Sequence, residues 1–336
     1  MLKHAAKRIL LSFLVLLGVI MITFAITRLL PSDPALKWAG PKATPEQIEA
    51  ARIELGLDRP IYVQFWNYLT DLVHGDLGTS YVSRVSVTLE LEKAIPATLE
   101  LVFYAILLSI VFGIWMGIYS AKHKNKLIDH LVRLFSMGSV SIPSFALALV
   151  LQLLFFSKLK WLPMGGRLST TMMILGDIPH ITGWLTIDSL LTGNWELLGD
   201  AFVHIILPCI PIALYPMGSL ARMTRSSLLE VLGEDYITAE RSYGIKEAKV
   251  LWKYALKNTI GTTATVTALN IGYTLVNTFL VEAVFNWPGI GTYVASAILA
   301  MDYPAIMGVT LFSTVAYLIL NLIADLIVAV DPRVRR

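Results

Sequence analysis

The run Ile9-Leu-Leu-Ser-Phe-Leu-Val-Leu-Leu-Gly-Val-Ile-Met-Ile-Thr-Phe-Ala-Ile-Thr-Arg28-Leu-Leu30 is apolar except for Ser12, Thr23, Thr27 and Arg28. A bilayer core is crossed by about 20 such residues in helical form, so the stretch is long enough to span one. Lys3, Lys7 and Arg8 precede it, as at the start of a signal peptide. The apolar run is too long for that role, however, and no small-x-small cleavage site follows. It reads as a retained anchor. Working outward, five more stretches qualify: Leu99–Ala121, Leu134–Phe156, Phe202–Ala221, Thr262–Phe285 and Ile306–Val330.

Composition agrees with six spans. Of 336 residues, 56% are hydrophobic and 15% charged, against about 45–50% apolar and about 25% charged in soluble domains. The chain lacks the polar residues to cover a water-facing surface. Lys and Arg number 27 against 24 Asp and Glu, too even for a nucleic-acid binder. Cys209 stands alone, so an intrachain disulfide or a Cys-rich metal site is excluded. The fold expected is an all-α polytopic membrane protein. With the N-terminus inside, the segments 1–8, 122–133, 222–258 and 331–336 hold 17 of the 27 basic residues. By the positive-inside bias both termini are then cytoplasmic.

The chain divides into a tail and first span (1–30), an external segment (31–98) and a core of five spans (99–336). In the external segment Thr44-Pro45-Glu46-Gln47 reads as a capping box with proline at the first helical position, and Gly56 as the helix's close. A second external segment, Ser157–Asp200, is irregular and dotted with Trp161, Trp184 and Trp195, as at a membrane interface. Loops of this length are more often functional than mere packing.

Several chemistries are missing. The sequence has no Gly-x-x-x-x-Gly-Lys-Ser/Thr phosphate loop, no His-Glu-x-x-His and no Gly-x-Ser-x-Gly. Glu282 and Asp325 sit near the ends of their spans, which disfavours paired catalytic use. No catalytic or metal-binding residue is assigned, and the chain is not an enzyme by itself. An acid or amide in a span faces a pathway or glues helices together; Asn270, Asn277 and Asp325 are candidates for either role. Pro208, Pro211 and Pro216 in the fourth span each remove a backbone bond, which suits a gated passage.

The segment 222–258 cannot enter the bilayer. Gly244 divides two helical stretches. In the second, Lys246, Lys249, Lys253 and Lys257 share one face, and Ala248, Leu251, Trp252 and Ala255 the other. Periodicity alone leaves open an amphipathic helix resting on anionic headgroups.

The run Glu234-Asp-Tyr-Ile through Gly244 and on to Asn258 resembles the cytoplasmic coupling loop of binding-protein-dependent ABC importer permeases. The whole chain is similar to the B-type permeases of dipeptide/oligopeptide importers. The supporting pieces include Leu30-Pro31-Ser-Asp33-Pro34, Gly75-Asp76-Leu77-Gly78-Thr-Ser80, Pro96-Ala-Thr98-Leu-Glu100-Leu and Ser141-Ile-Pro143-Ser-Phe145. Further along come Thr224-Arg-Ser-Ser-Leu-Leu-Glu230, Val284-Phe-Asn-Trp-Pro-Gly-Ile-Gly291, Asp302-Tyr-Pro304 and Asp331-Pro332-Arg333. The resemblance implies a type I ABC importer permease fold of six transmembrane helices in a prokaryotic cell membrane. It implies four partners beside the lipid bilayer: a second homologous permease subunit, two cytoplasmic ABC ATPase subunits and an external solute-binding protein. This chain would bind no cofactor, ATP and Mg being held by the ATPases. It assigns coupling contacts to Asp235, Ala239, Glu240, Arg241, Gly244 and Glu247, and cargo to di-/oligopeptides, with oligosaccharides or nickel as alternatives. A self-sufficient secondary transporter, which calls for inverted repeats, is disfavoured. The sequence departs from the family's usual Ala-Arg-Ala-Lys-Gly, having Glu240-Arg241-Ser242-Tyr243-Gly244, a charge pattern fitted to its own ATPase.

Overall fold

The computed structural model describes residues 2–29, 33–40 and 42–330, with the side chains of 2–7, 9, 29, 175 and 324–330 excepted. The Leu30-Pro31 and Asp331-Pro332-Arg333 stretches therefore lie outside the described residues, as does the Asp325 side chain. The helices are α1 (Leu2–Leu29), α2 (Pro34–Ala39), α3 (Pro45–Glu54), α4 (Ile61–Val73), α5 (Val87–Lys122), α6 (Leu127–Ser141) and α7 (Ser144–Leu151), the last running on as a π-helical turn, Gln152–Lys158. Then come α8 (Thr170–Leu175), α9 (Leu185–Thr192), α10 (Trp195–Leu232), α11 (Asp235–Ser242) and α12 (Glu247–Lys249). A second π-helical turn, Val250–Ala255, leads into α13 (Leu256–Val284), followed by α14 (Ile290–Ala300) and α15 (Tyr303–Val330). Among the described residues the only strand-like pairing is one bridge, Thr79 to Ser86.

Five helices (α1, α5, α10, the α12–α13 run and α15) are long and apolar enough to cross a membrane. The third expected span departs from the reading of Leu134–Phe156 as one helix. It is broken between α6 and α7, whose axes meet at 103°. The cause is local: Pro143 disfavours helical geometry in the residue before it, and Ile142 is extended at φ −91°, ψ 120°. The three prolines of the fourth span behave differently. Pro208, Pro211 and Pro216 are all buried inside the single continuous helix α10.

The chain forms two compact units. One comprises Met1–Pro96 and Gly289–Ala316. In it the Thr44 capping box is made as expected: the Gln47 amide donates to Thr44 Oγ1 and the Thr44 amide to Gln47 Oε1. Gly56 follows α3 at φ +63°. Phe24 of α1 packs on Phe65 and Tyr68 of α4, with ring centroids 5.1 and 5.9 Å apart. Asp302 holds the turn at Ser80–Val82, accepting from the Ser80 hydroxyl at 2.5 Å and the Tyr81 amide at 3.1 Å.

The other unit, Ala97–Pro288 and Tyr317–Arg336, is a helical bundle around α10. Without a hydrophobic drive between helices in lipid, close packing of small residues must hold them. Gly113 and Gly117, one turn apart on α5, supply it. A Cβ on Gly117 would stand 2.6 Å from Thr224 Cβ and 2.8 Å from Ala221 O on α10. Gly117→Ala is therefore expected to destabilise the bundle by about 1–3 kcal/mol. Gly138→Ala on α6, where nothing lies within 4 Å of an added Cβ, serves as the neutral control. Equal unfolding temperatures for the two variants in detergent would refute the tight α5–α10 crossing.

Candidate functional site

The hairpin after α10 is built from a helix stop, a clasp and an apolar underside. Helix α11 ends in a left-handed turn: Gly244 has φ +75°. The Gly244 amide donates to Arg241 O at 2.9 Å and the Ile245 amide to Glu240 O at 3.3 Å. These are the paired bonds of a Schellman stop. Across that turn Arg241 meets Glu247 through two hydrogen bonds, Nε to Oε2 at 3.1 Å and Nη2 to Oε1 at 2.7 Å. A two-pronged guanidinium–carboxylate contact fixes orientation as well as distance, so α11 and α12 are held at a set angle. Asn258 Nδ2 donates to Tyr236 Oη at 2.7 Å as a second tie.

Beneath the hairpin, buried Ile237, Val250, Leu251 and Ala255 pack with Ile118 and Ala121 of α5 and Leu228 of α10. Above it, Asp235, Ala239, Arg241, Gly244 and Glu247 are exposed and Glu240 is half-buried. The four lysines, Lys246, Lys249, Lys253 and Lys257, are exposed too. The expected apolar face needs correction: Leu251 and Ala255 are buried, but Ala248 is exposed and Trp252 is 52% exposed, while Val250 turns inward. The π-helical turn Val250–Ala255 holds one residue more than an α-turn. That extra residue shifts the face by about 100°, at 3.6 residues per turn.

One corner of the site was not singled out from the sequence. Asp129, in the first turn of α6, is fully buried. It accepts from Arg225 Nε at 2.6 Å and Nη2 at 2.9 Å, from Ser120 Oγ at 2.6 Å and from the Asn125 amide at 2.9 Å. The end of α5, the following turn, α6 and α10 thus share one carboxylate. Its neighbours in sequence make Asp129 look like an ordinary first-turn acid; its main partner is 96 residues away.

Residues 157–201 are tied down as well. Glu100, fully buried on α5, accepts from Arg167 and from the amide (2.8 Å) and hydroxyl (2.6 Å) of Thr186. Trp287 donates its indole N–H to Ala97 O at 2.9 Å. Two motifs far apart in sequence, those containing Glu100 and Trp287, therefore meet at Arg167, whose guanidinium lies 5.7 Å from the Trp287 ring centre. Burial by itself would raise the Asp188 carboxyl. Hydrogen bonds from the Thr182 hydroxyl and the amides of Ile181, Thr182 and Gly183 outweigh it and hold the group below the usual carboxylate range.

At the break between α6 and α7 lies a cavity of about 290 Å3, bounded also by α10 and α13. Asn277 lines it. Asn270 does not; it is buried on the same helix, and its Nδ2 has no hydrogen-bond partner among the described residues. No group of three or more His, Cys, Asp and Glu suited to a metal ion occurs among the described residues.

The family model described as binding-protein-dependent transport system inner membrane component matches residues 109–336, and the N-terminal model for such membrane components matches residues 1–102. The chain is 44% identical over 325 residues to a probable D,D-dipeptide transport system permease protein of Escherichia coli (strain K12), covering 96% of this chain and 94% of that one. It is 38% identical over 336 residues to a dipeptide transport system permease protein of Alkalihalophilus pseudofirmus, covering all of both chains. A glutathione transport system permease protein of Salmonella typhimurium is 33% identical over 336 residues, 100% of this chain and 99% of the relative.

Proposed function

The chain belongs to the binding-protein-dependent transport system inner membrane components, multi-pass permeases of the cell membrane, and on that premise we propose that it is the transmembrane subunit of an ATP-driven importer of di-/oligopeptides. A second homologous permease pairs with it, two ABC ATPases dock on its cytoplasmic side, and an external solute-binding protein delivers the cargo. Both termini are cytoplasmic, as the Lys and Arg bias supports. The peptide class is supported by the relatives, whose names specify D,D-dipeptides, dipeptides and glutathione.

The observation that carries the coupling assignment is the hairpin's build: exposed Asp235, Ala239, Arg241, Gly244 and Glu247 above, apolar residues seated on α5 and α10 below. A push on the exposed face is not absorbed at Gly244, because Arg241 and Glu247 brace the two halves. It passes through Ile237, Val250 and Leu251 to the ends of α5 and α10. Asp129, bonded to Ser120 and Arg225, carries it to α6. Helix α6 ends at Ile142-Pro143, beside the cavity. Closure of the ATPases, powered by ATP and Mg on those subunits, thus shifts the wall of the passage.

The test uses the lone, buried cysteine as background. Ala239→Cys, in the assembled complex, is expected to form a thiol cross-link to the ATPase subunit. A cross-link only to lipid probes, or solute movement by this chain in vesicles free of any ATPase, would overturn the assignment.

A further inference from the structure

The cavity beside the α6–α7 break differs from the rest of the bundle in its chemistry. Among the described residues no Asp, Glu, Lys, Arg or His lines it. Four lining residues carry side-chain oxygens with no hydrogen-bond partner among the described residues: Ser144, Tyr215, Tyr273 and Asn277. Asn277 uses its amide nitrogen on Tyr273 O at 2.9 Å, which leaves Oδ1 as an acceptor. The Tyr215 and Tyr273 rings lie 4.4 Å apart across α10 and α13. Pro211 and Pro216, also in the wall, have no N–H to offer the carbonyls of Leu207 and Ile212 one turn earlier. Pro143 ends the helical ladder on the third side. Broken backbone of this kind persists at membrane depth where protein buries it or where it lines a water-filled cavity.

We infer that this cavity is a cargo-contact site for the amide backbone of a short peptide, formed by uncharged oxygens with Asn277 and Ser144 among them, and that it does not select by side-chain charge. The inference rests on the peptide-import reading above. Each amide of a peptide presents one donor and one acceptor. Hydroxyls answer either, and Asn277 Oδ1 answers donors. A fixed charge here would attract cargo of the opposite sign and repel cargo of its own. Its absence lets lysine- and glutamate-bearing peptides pass alike. Specificity for side chains then falls to the delivering protein.

The experiment is initial-rate import of Ala-Lys-Ala and Ala-Glu-Ala by the complete complex in vesicles, with the solute-binding protein saturating. Each rate is divided by that for trialanine. The unaltered assembly is expected to give similar values for both. Asn277→Asp is expected to move the Lys-to-Glu ratio up, and Asn277→Lys down, by roughly tenfold each. Ser144→Asp and Ser144→Lys give the same reading from α7 should an Asn277 variant fail to assemble. Peptide import with a ratio unmoved by charges at both positions would overturn the cavity assignment alone, and is the result expected if the second permease subunit fills this space. An unaltered assembly that imports no peptide on ATP would overturn the import reading, and the cavity assignment with it.

Discussion

Gly244→Pro is expected to cut ATP-driven import by tenfold or more while leaving membrane insertion and the amount of protein unchanged. The residue stands at φ +75°, and proline is confined near −65°. Proline also lacks the N–H that donates to Arg241 O at 2.9 Å. A misplaced proline costs about 3 kcal/mol or more, which at about 1.4 kcal/mol per tenfold weakens the braced hairpin roughly 100-fold against other conformers. Bulk is not the cause, since nothing lies within 4 Å of a Cβ at this position. Gly244→Asn, which tolerates the left-handed region, is therefore expected to import at close to the parental rate. ATPase activity of the assembled complex separates loss of coupling from loss of docking: hydrolysis that persists without import marks a hairpin still gripped but no longer transmitting. Import by Gly244→Pro at the parental rate would remove Gly244 from the coupling path.

Arg225→Ala carries the largest expected loss of stability. It leaves Asp129, with no exposed side-chain surface, without its two-pronged partner. Stranding a buried charge outright costs about 3–5 kcal/mol; Arg133 Nε, 3.8 Å from Asp129 Oδ1, keeps part of the pairing, so the loss is expected at or below the lower end of that range. Asp129→Ala should cost less, because Arg225 keeps 19% of its side chain exposed and reaches water by itself. Replacing both, as Asp129→Asn with Arg225→Leu, removes the charge along with its partner and is expected to recover much of the loss. Thermal unfolding in detergent ranks the three. An Arg225→Ala protein that unfolds at the parental temperature would show that the corner does not brace α5, α6 and α10.

The legible parts share a feature: the physics acts within one or two turns of chain. Spans are runs of about 20 apolar residues, and five of the six expected ones were found as continuous helices, the third instead as two helices meeting at 103°. The Thr44 capping box and the Gly244 stop are likewise local hydrogen-bond patterns. Ile142-Pro143 obeys a local rule too, and its sharp bend was open to prediction from the residue before the proline. The prolines of α10 show the rule's limit: buried neighbours keep the helix continuous despite the missing bonds.

What lies beyond a few turns is decided by tertiary packing. Nothing local marks Asp129 as the partner of Arg225, 96 residues on, or Glu100 as the acceptor for Arg167 and Thr186, 67 and 86 residues on. The inward turn of Val250 and outward turn of Trp252 follow from a π-helical register that periodicity of 3.6 does not encode. The same holds for Asn277 beside the cavity and Asn270 away from it. The sequence by itself determined that this is a membrane helix bundle with a glycine-centred hairpin, because hydropathy and backbone stereochemistry are properties of short segments. Which charges meet, and which polar groups face open space, only the folded arrangement decided, because burying a charge is tolerable only where a distant partner arrives to meet it.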